Sequence, residues 1–284
     1  MNAFLQILYL TNQENGMRKS IKYLLCGGPL MLAMAFSAHS AGVSQQQFDT
    51  WVAARCGTGE PVYWYARGDA RAYPGGEVLF RVDFVEENRL VLDPENPKAR
   101  VCLGRKMSIK LDKDTGAVLR EFRGQSVAAA SIYPYQMIAM SLHGDRVAAV
   151  ATQGSGKFLR THSLDDVISV IDFGGRTYFD AAAIFSSHRK EGDLNTFEYL
   201  TYVMPVDSGK QKNPNPGLSM MAGSERPVWA GGDGKTNYLV EHVVGGRVST
   251  YEELPAHVRQ FIKTDAPIFR APPANVAEIK RLQQ

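Results

Sequence analysis

Leu79-Phe80-Arg81-Val82-Asp83-Phe84-Val85 alternates along its length. Successive side chains of a strand point to opposite faces, so Phe80, Val82 and Phe84 share one face and Arg81 and Asp83 the other. The segment therefore reads as a strand with one core face, and its neighbours repeat the theme. Val62-Tyr63-Trp64-Tyr65 is aromatic and strand-prone. Arg67-Gly68-Asp69 is expected to turn the chain into Ala70–Tyr73, and Pro74-Gly75-Gly76 to turn it again. Asn88–Lys98, with two prolines, reads as loop. Arg100–Leu111 is a further strand, followed by a hairpin at Asp112-Lys113-Asp114-Thr115-Gly116 and a return over Val118–Arg123. Val127–Ile132, Met137–Leu142, Val147–Thr152, Val167–Phe173, Tyr178–Ser186, Phe197–Met204 and Tyr238–Val244 complete the strand set.

Helices are few. Val43–Arg55 carries Phe48, Val52 and Ala53 on one face with Trp51 beside them, and Ser44 with Gln47 makes a capping box. Thr250–Ile262 is expected to be helical, provided Pro255 falls in the first turn, and Ala274–Leu282 closes the chain. Short strands joined by Gly, Asp and Asn turns, without strand–helix alternation, predict an all-β, mainly antiparallel fold: a lipocalin-like barrel or a curled sheet with a few peripheral helices. Residues 42–284 read as one domain, with no linker and no internal repeat.

The first 41 residues read differently. Met17-Arg18-Lys19-Ser20-Ile21-Lys22 is a short basic stretch, Tyr23–Phe36 is apolar, and small residues follow at Ser37-Ala38-His39-Ser40-Ala41. This is the tripartite pattern of a signal peptide, with cleavage expected after Ser40 or Ala41. The apolar run is shorter than the roughly 20 residues a membrane span needs. Signals usually begin near their charges, so Met17 reads as the start and residues 1–16 as a misassigned extension. The expected location is periplasmic or secreted, with no membrane anchor after cleavage.

Of the 284 residues, 44% are hydrophobic and 21% charged, with a net charge of +3. That balance gives no footprint for nucleic acid. Cys26 leaves with the leader, and an exported chain left with Cys56 and Cys102 is expected to bond them. No catalytic motif is spelled out. Asp112-x-Asp114-x-Gly116 lacks the glycine and glutamate positions of a calcium loop. His143, His162, His188 and His242 form no metal-ligand spacing, so neither a metal nor another cofactor is expected. The serine clusters lack the Gly-x-Ser-x-Gly elbow.

The richest signal is aromatic. Tyr63, Tyr65 and Tyr202, with Arg81, are expected to line a cavity for a small hydrophobic or aromatic molecule. The alternatives are a cofactor-free lyase, isomerase or hydrolase with Glu198 or His242 as acid/base and Arg81 as anion anchor, and a structural protein of the cell envelope. Arg81 carries its own alternative, an outward-facing position, because Phe80, Val82 and Phe84 are the more apolar set.

The order of motifs resembles the bacterial and fungal "domain of unknown function 1838" family over roughly Gly57–Pro273. Gly59-Glu60-Pro61-Val62-Tyr63-Trp64 is similar to its opening strand, and Leu111-Asp112-Lys113-Asp114-Thr115-Gly116-Ala117-Val118-Leu119 to its Thr-Gly hairpin. Phe197-Glu198-Tyr199, Met220-Met221-Ala222-Gly223-Ser224-Glu225-Arg226-Pro227, Tyr238–His242 and Glu253-Leu254-Pro255 resemble later segments. Leu218 and Ser219 stand where that family carries tryptophans, and Arg123-Gly124 where Asn-Pro is common. The resemblance implies an all-β fold and export, and supplies no activity.

Overall fold

The computed structural model describes residues 42–284 apart from 94, 155–159, 190–191, 206–215, 234–236 and 282–284. The expected signal segment and both of its possible starts lie outside the described residues. The chain opens with helix α1 (Gln45–Cys56), capped by the expected Ser44–Gln47 box. Strands β1 (Val62–Tyr73), β2 (Val78–Val91) and β3 (Arg100–Leu111) follow. A small hairpin, β4 (Glu121–Phe122) and β5 (Gln125–Ser126), interrupts the path to β6 (Ala130–His143) and β7 (Arg146–Gly154). Then come β8 (Arg160–Leu164), β9 (Ile168–Phe173), β10 (Arg176–Arg189), β11 (Gly192–Pro205), β12 (Gly217–Glu225) and β13 (Tyr238–Val248). Helices α2 (Ala256–Asp265) and α3 (Val276–Lys280) end the chain.

Eleven strands form one antiparallel sheet in the order β8-β7-β6-β3-β2-β1-β13-β12-β11-β10-β9. Its two edge strands, β8 and β9, are joined by only Asp165-Asp166-Val167. Leu164 and Ile168 can therefore be at most about 14 Å apart, so the sheet must curl until its edges approach. Val167 sits at that seam. Its N–H donates to Val147 O (3.0 Å) and its carbonyl accepts from Ala182 N–H (3.3 Å), tying β7 to β10. The result is the curled-sheet form of the expected all-β fold.

The two faces of the sheet are both covered over β1–β3. Inside, Trp64, Phe80, Val82, Phe84, Met140, Phe179, Leu200, Tyr202 and Met220 pack around α1. Outside, Tyr63, Val85, Met107, Ile109 and Leu111 lie under Leu254, Val258, Phe261 and Ile262, the last three on α2. Val101 and Leu103 lie under Val276 and Ile279 of α3. Because α1 is enclosed by the sheet, Phe48, Trp51, Val52 and Ala54 are all buried, a wider apolar surface than one stripe.

Several boundaries differ from expectation. No turn occurs at Arg67-Gly68-Asp69: β1 runs straight through to Tyr73. Gly68 is opposite Val243 of β13, and a Cβ there would come within 1.8 Å of His242 O. The glycine permits close strand approach, one of the two meanings of glycine within a strand. Strand β2 continues to Val91, so the loop begins later than Asn88. The end of the candidate Val127–Ile132, from Ala130 on, and all of Met137–Leu142 belong to a single strand, β6, which passes Pro134 at a bulge opposite Arg105. Pro255 does not enter a helix but is the N-cap of α2, and a 3₁₀ turn at Tyr251–Glu253 precedes it. The Asp112–Gly116 hairpin is as expected: Asp112 Oδ1 accepts from the Asp114 and Thr115 amides, and Gly116 takes φ +72°.

Candidate functional site

The concave face bears an open-mouthed cavity of about 370 Å³ between β3, β6 and β11–β13. Register places its residues. Glu86 is opposite Lys106, and Phe84 opposite Ser108, so Lys106, Ser108 and Lys110 all face inward from β3. Glu198, opposite Ala222, faces inward from β11, and Glu241 does so from β13. Phe84, Met220, Leu239 and Trp229 supply apolar wall.

The floor is an ion pair. Lys106 Nζ donates to Glu198 Oε1 (2.7 Å) and Oε2 (2.9 Å), and stands 5.2 Å from the centre of the Tyr133 ring. The side chains are 10% and 16% exposed, so the pair is held largely away from water. Burial disfavours the Lys106 charge, but Glu198 outweighs it and the ammonium titrates above its ordinary value. Below this pair lies another, Arg55 Nη2 with Glu86 Oε1 at 3.5 Å, and the Arg55 guanidinium lies over the Tyr202 ring. A smaller void of about 50 Å³ beside Trp51, Arg55 and Gln136 shares Glu198 and Gln153 with the main cavity.

Higher up, Lys110 and Glu241 are perturbed toward each other. Burial pulls the Lys110 ammonium below its ordinary value, against the field of Glu241. Burial pushes the Glu241 carboxyl up, against a Ser108 hydrogen bond and Lys110. Lys110 Nζ donates to Ala128 O (3.0 Å) and Ser131 Oγ (3.3 Å).

Of the residues expected to converge, the structure brings Glu198 to the cavity and puts Tyr202 beneath it on the same face. Tyr202 is fully buried, edge-on to Trp64, and its hydroxyl has no hydrogen-bond partner among the described residues. The others lie on the convex face and are corrected accordingly. Arg81 is exposed there, opposite Asp69 and Leu111, because the inward set of β2 is Phe80, Val82 and Phe84. His242 is exposed, with Nε2 3.4 Å from Ser219 Oγ. Tyr63 packs on Tyr251 and donates its hydroxyl to Arg270 O. Tyr65 donates to Asp83 Oδ1 (3.0 Å), part of a cluster that docks α2. In it the fully buried Asp83 also accepts from Arg67 Nε (2.7 Å) and Nη2 (3.0 Å) and meets His257 Nε2. Burial opposes the Asp83 charge, yet Arg67 and His257 hold its carboxyl below the usual range. These outward tyrosines serve helix packing, since α2 and its flanks cover the positions they occupy.

Reasoning from sequence missed Lys106, Lys110 and Glu241. The signal was present in the alternation Gly104, Lys106, Ser108, Lys110, a polar face on a strand whose other face is Leu103, Met107, Ile109 and Leu111. Among the described residues no cluster of three or more His, Cys, Asp or Glu is arranged to hold a metal, and no helix is long and apolar enough to cross a membrane. Cys56 and Cys102 are disulfide-bonded, with Cα atoms 5.6 Å apart. Comparison with protein-family models, with curated proteins and with solved structures found no match.

Proposed function

We propose that this chain is an exported binding protein that holds a small, largely apolar molecule in its concave cavity. The observation that carries the reading is an open-mouthed 370 Å³ cavity in which an apolar wall of Phe84, Met220, Leu239 and Trp229 meets charged and polar groups brought together from distant strands. Retaining buried Lys and Glu side chains around it supports the same reading, because such groups persist where they are paired or face a working pocket. The disulfide and the basic-apolar-small leader support export to the periplasm or beyond. Membership of the "domain of unknown function 1838" family remains part of this proposal, resting on the order of motifs.

The test is native mass spectrometry of protein purified from an oxidising compartment. A discrete adduct of small-molecule mass, released on denaturation, is expected. A bare polypeptide that also takes up no apolar probe would overturn the reading. A second reading, proton-transfer catalysis, draws on one observation: Lys110 and Glu241 share the cavity with their titrations displaced toward each other. Turnover of the co-purified molecule, lost in Glu241→Gln, would favour it.

A further inference from the structure

Two cationic side chains on the concave face meet carboxylates: Arg55 meets Glu86, and Lys106 meets both oxygens of Glu198. Arg247, like Lys110, has only neutral acceptors among the described residues, the Ala53 and Ala54 carbonyls of α1, but it does not line the cavity. Lys110 does. It is only 5% exposed, and no carboxylate among the described residues lies within ion-pair distance of it. Its two partners, Ala128 O and Ser131 Oγ, are neutral acceptors. An ammonium has three donors, so one remains. The Lys106–Glu198 pair cannot serve it. Lys106 and Lys110 are four residues apart on one strand face, about 13 Å along the strand. Glu241 faces the same cavity and its field acts on Lys110, but it stands beyond ion-pair distance.

A buried cation with no carboxylate in contact gains from one. A contacting partner for the remaining donor would be an anion small enough to enter the cavity with Lys110. Resting on the binding reading above, we propose that Lys110 receives the carboxylate of a small amphiphilic acid, whose apolar body lies against Phe84, Met220, Leu239 and Trp229. Such a ligand uses both halves of the lining: the carboxylate takes the free donor of Lys110 and a hydrogen bond from Ser131, while the chain or ring covers the apolar wall. A charge-assisted hydrogen bond is stronger than a neutral one, so an acid is favoured over the alcohol of the same carbon skeleton.

The experiment titrates the disulfide-bonded protein with decanoate and with decanol by calorimetry, both below their aggregation concentrations. Decanoate is expected to bind at least tenfold more tightly than decanol. Lys110→Met is expected to remove that preference while decanol binding persists. Lys113→Met, on the exposed hairpin, serves as a control that keeps it. Equal affinities in the unmodified protein would overturn the carboxylate assignment and leave the binding reading standing. Binding of neither compound would overturn both. The comparison within the unmodified protein decides the matter even if Lys110→Met fails to fold, and Lys110→Arg, which keeps a cation, is expected to retain the preference.

Discussion

Glu198 shows how a single buried charge is fixed by its neighbour. Replacing it with Gln leaves the Lys106 ammonium enclosed without a counter-ion. Breaking such a pair from one side typically costs about 3–5 kcal/mol, whereas replacing both partners by apolar groups is often neutral. Here the partial exposure of the pair reduces the expected loss. Glu198→Gln is expected to lower unfolding stability by about 2 kcal/mol, and Lys106→Met with Glu198→Met to recover most of it, as read by urea denaturation. An unchanged midpoint in Glu198→Gln would show the pair to be solvated. Glu87 makes a complementary case on the convex face. It is fully buried, neither carboxyl oxygen has a hydrogen-bond partner among the described residues, and Arg105 stands 3.6 Å away. Burial pushes its titration up to about 8, against Arg105. A carboxyl whose folded value lies above its unfolded value favours folding fully at low pH. That contribution is lost as pH rises from the unfolded value near 4.5 to the folded value near 8. Glu87→Gln is expected to be nearly silent at pH 4 and stabilising by roughly 4 kcal/mol at pH 8. Arg105 keeps Glu278 as a partner in that variant. Parallel pH–stability curves for the two proteins would contradict the assignment. Glu198 was read from sequence as a cavity residue, but Glu87 was not legible as buried: a Glu in a strand reads as solvent-facing until both faces of the sheet are known to be covered.

Helix α1 is held by its C-terminal end, where carbonyls lack partners within the helix. Arg55 O accepts from Trp64 Nε1 (3.1 Å) and Asn88 Nδ2 (3.3 Å), while Arg247 Nη1 donates to Ala53 O and Ala54 O (both 3.2 Å). The disulfide from Cys56 to Cys102 then fastens this end to β3. With the cysteines 46 positions apart in sequence, the chain-entropy estimate for the bond is about 4 kcal/mol. Cys56→Ser with Cys102→Ser is expected to lose about that much in urea denaturation; a loss below 1 kcal/mol would mean that α1 is positioned without it. This helix, its cap and its disulfide were all readable in the sequence, because each depends on local pattern or on cysteine count. The continuity of β1 was not. Gly68 looks like a turn residue locally, and only the approach of β13 explains it. Gly68→Ala is expected to cost more than 3 kcal/mol, since the new Cβ meets backbone, which cannot yield as a side chain can. A loss under 1 kcal/mol would restore the turn interpretation.

At the level of the whole molecule, the antiparallel curled sheet follows from alternation and turn spacing, which are short-range signals. The facing of each strand does not. Alternation sorts Arg81 from Phe80 but leaves open which set points inward until the partner strands are placed. On β3 the local pattern misleads. Its apolar set, Val101, Leu103, Met107, Ile109 and Leu111, looks like the core side, yet it faces outward beneath α2 and α3. The polar set, Lys106, Ser108 and Lys110, looks like the solvent side and faces the cavity. The site was therefore hidden by the convex covering, which arrives from the end of the chain. Adjacent methionines on β12 turn this inside–outside division into a measurement. Met220 is buried and lines the cavity, while Met221 is exposed on the convex face. With methyl-labelled methionine, NMR titration of an apolar acid such as decanoate is expected to shift the Met220 methyl to saturation and leave Met221 in place. A shift confined to Met221, or no shift in either at saturating ligand, would contradict a binding site within the curled sheet.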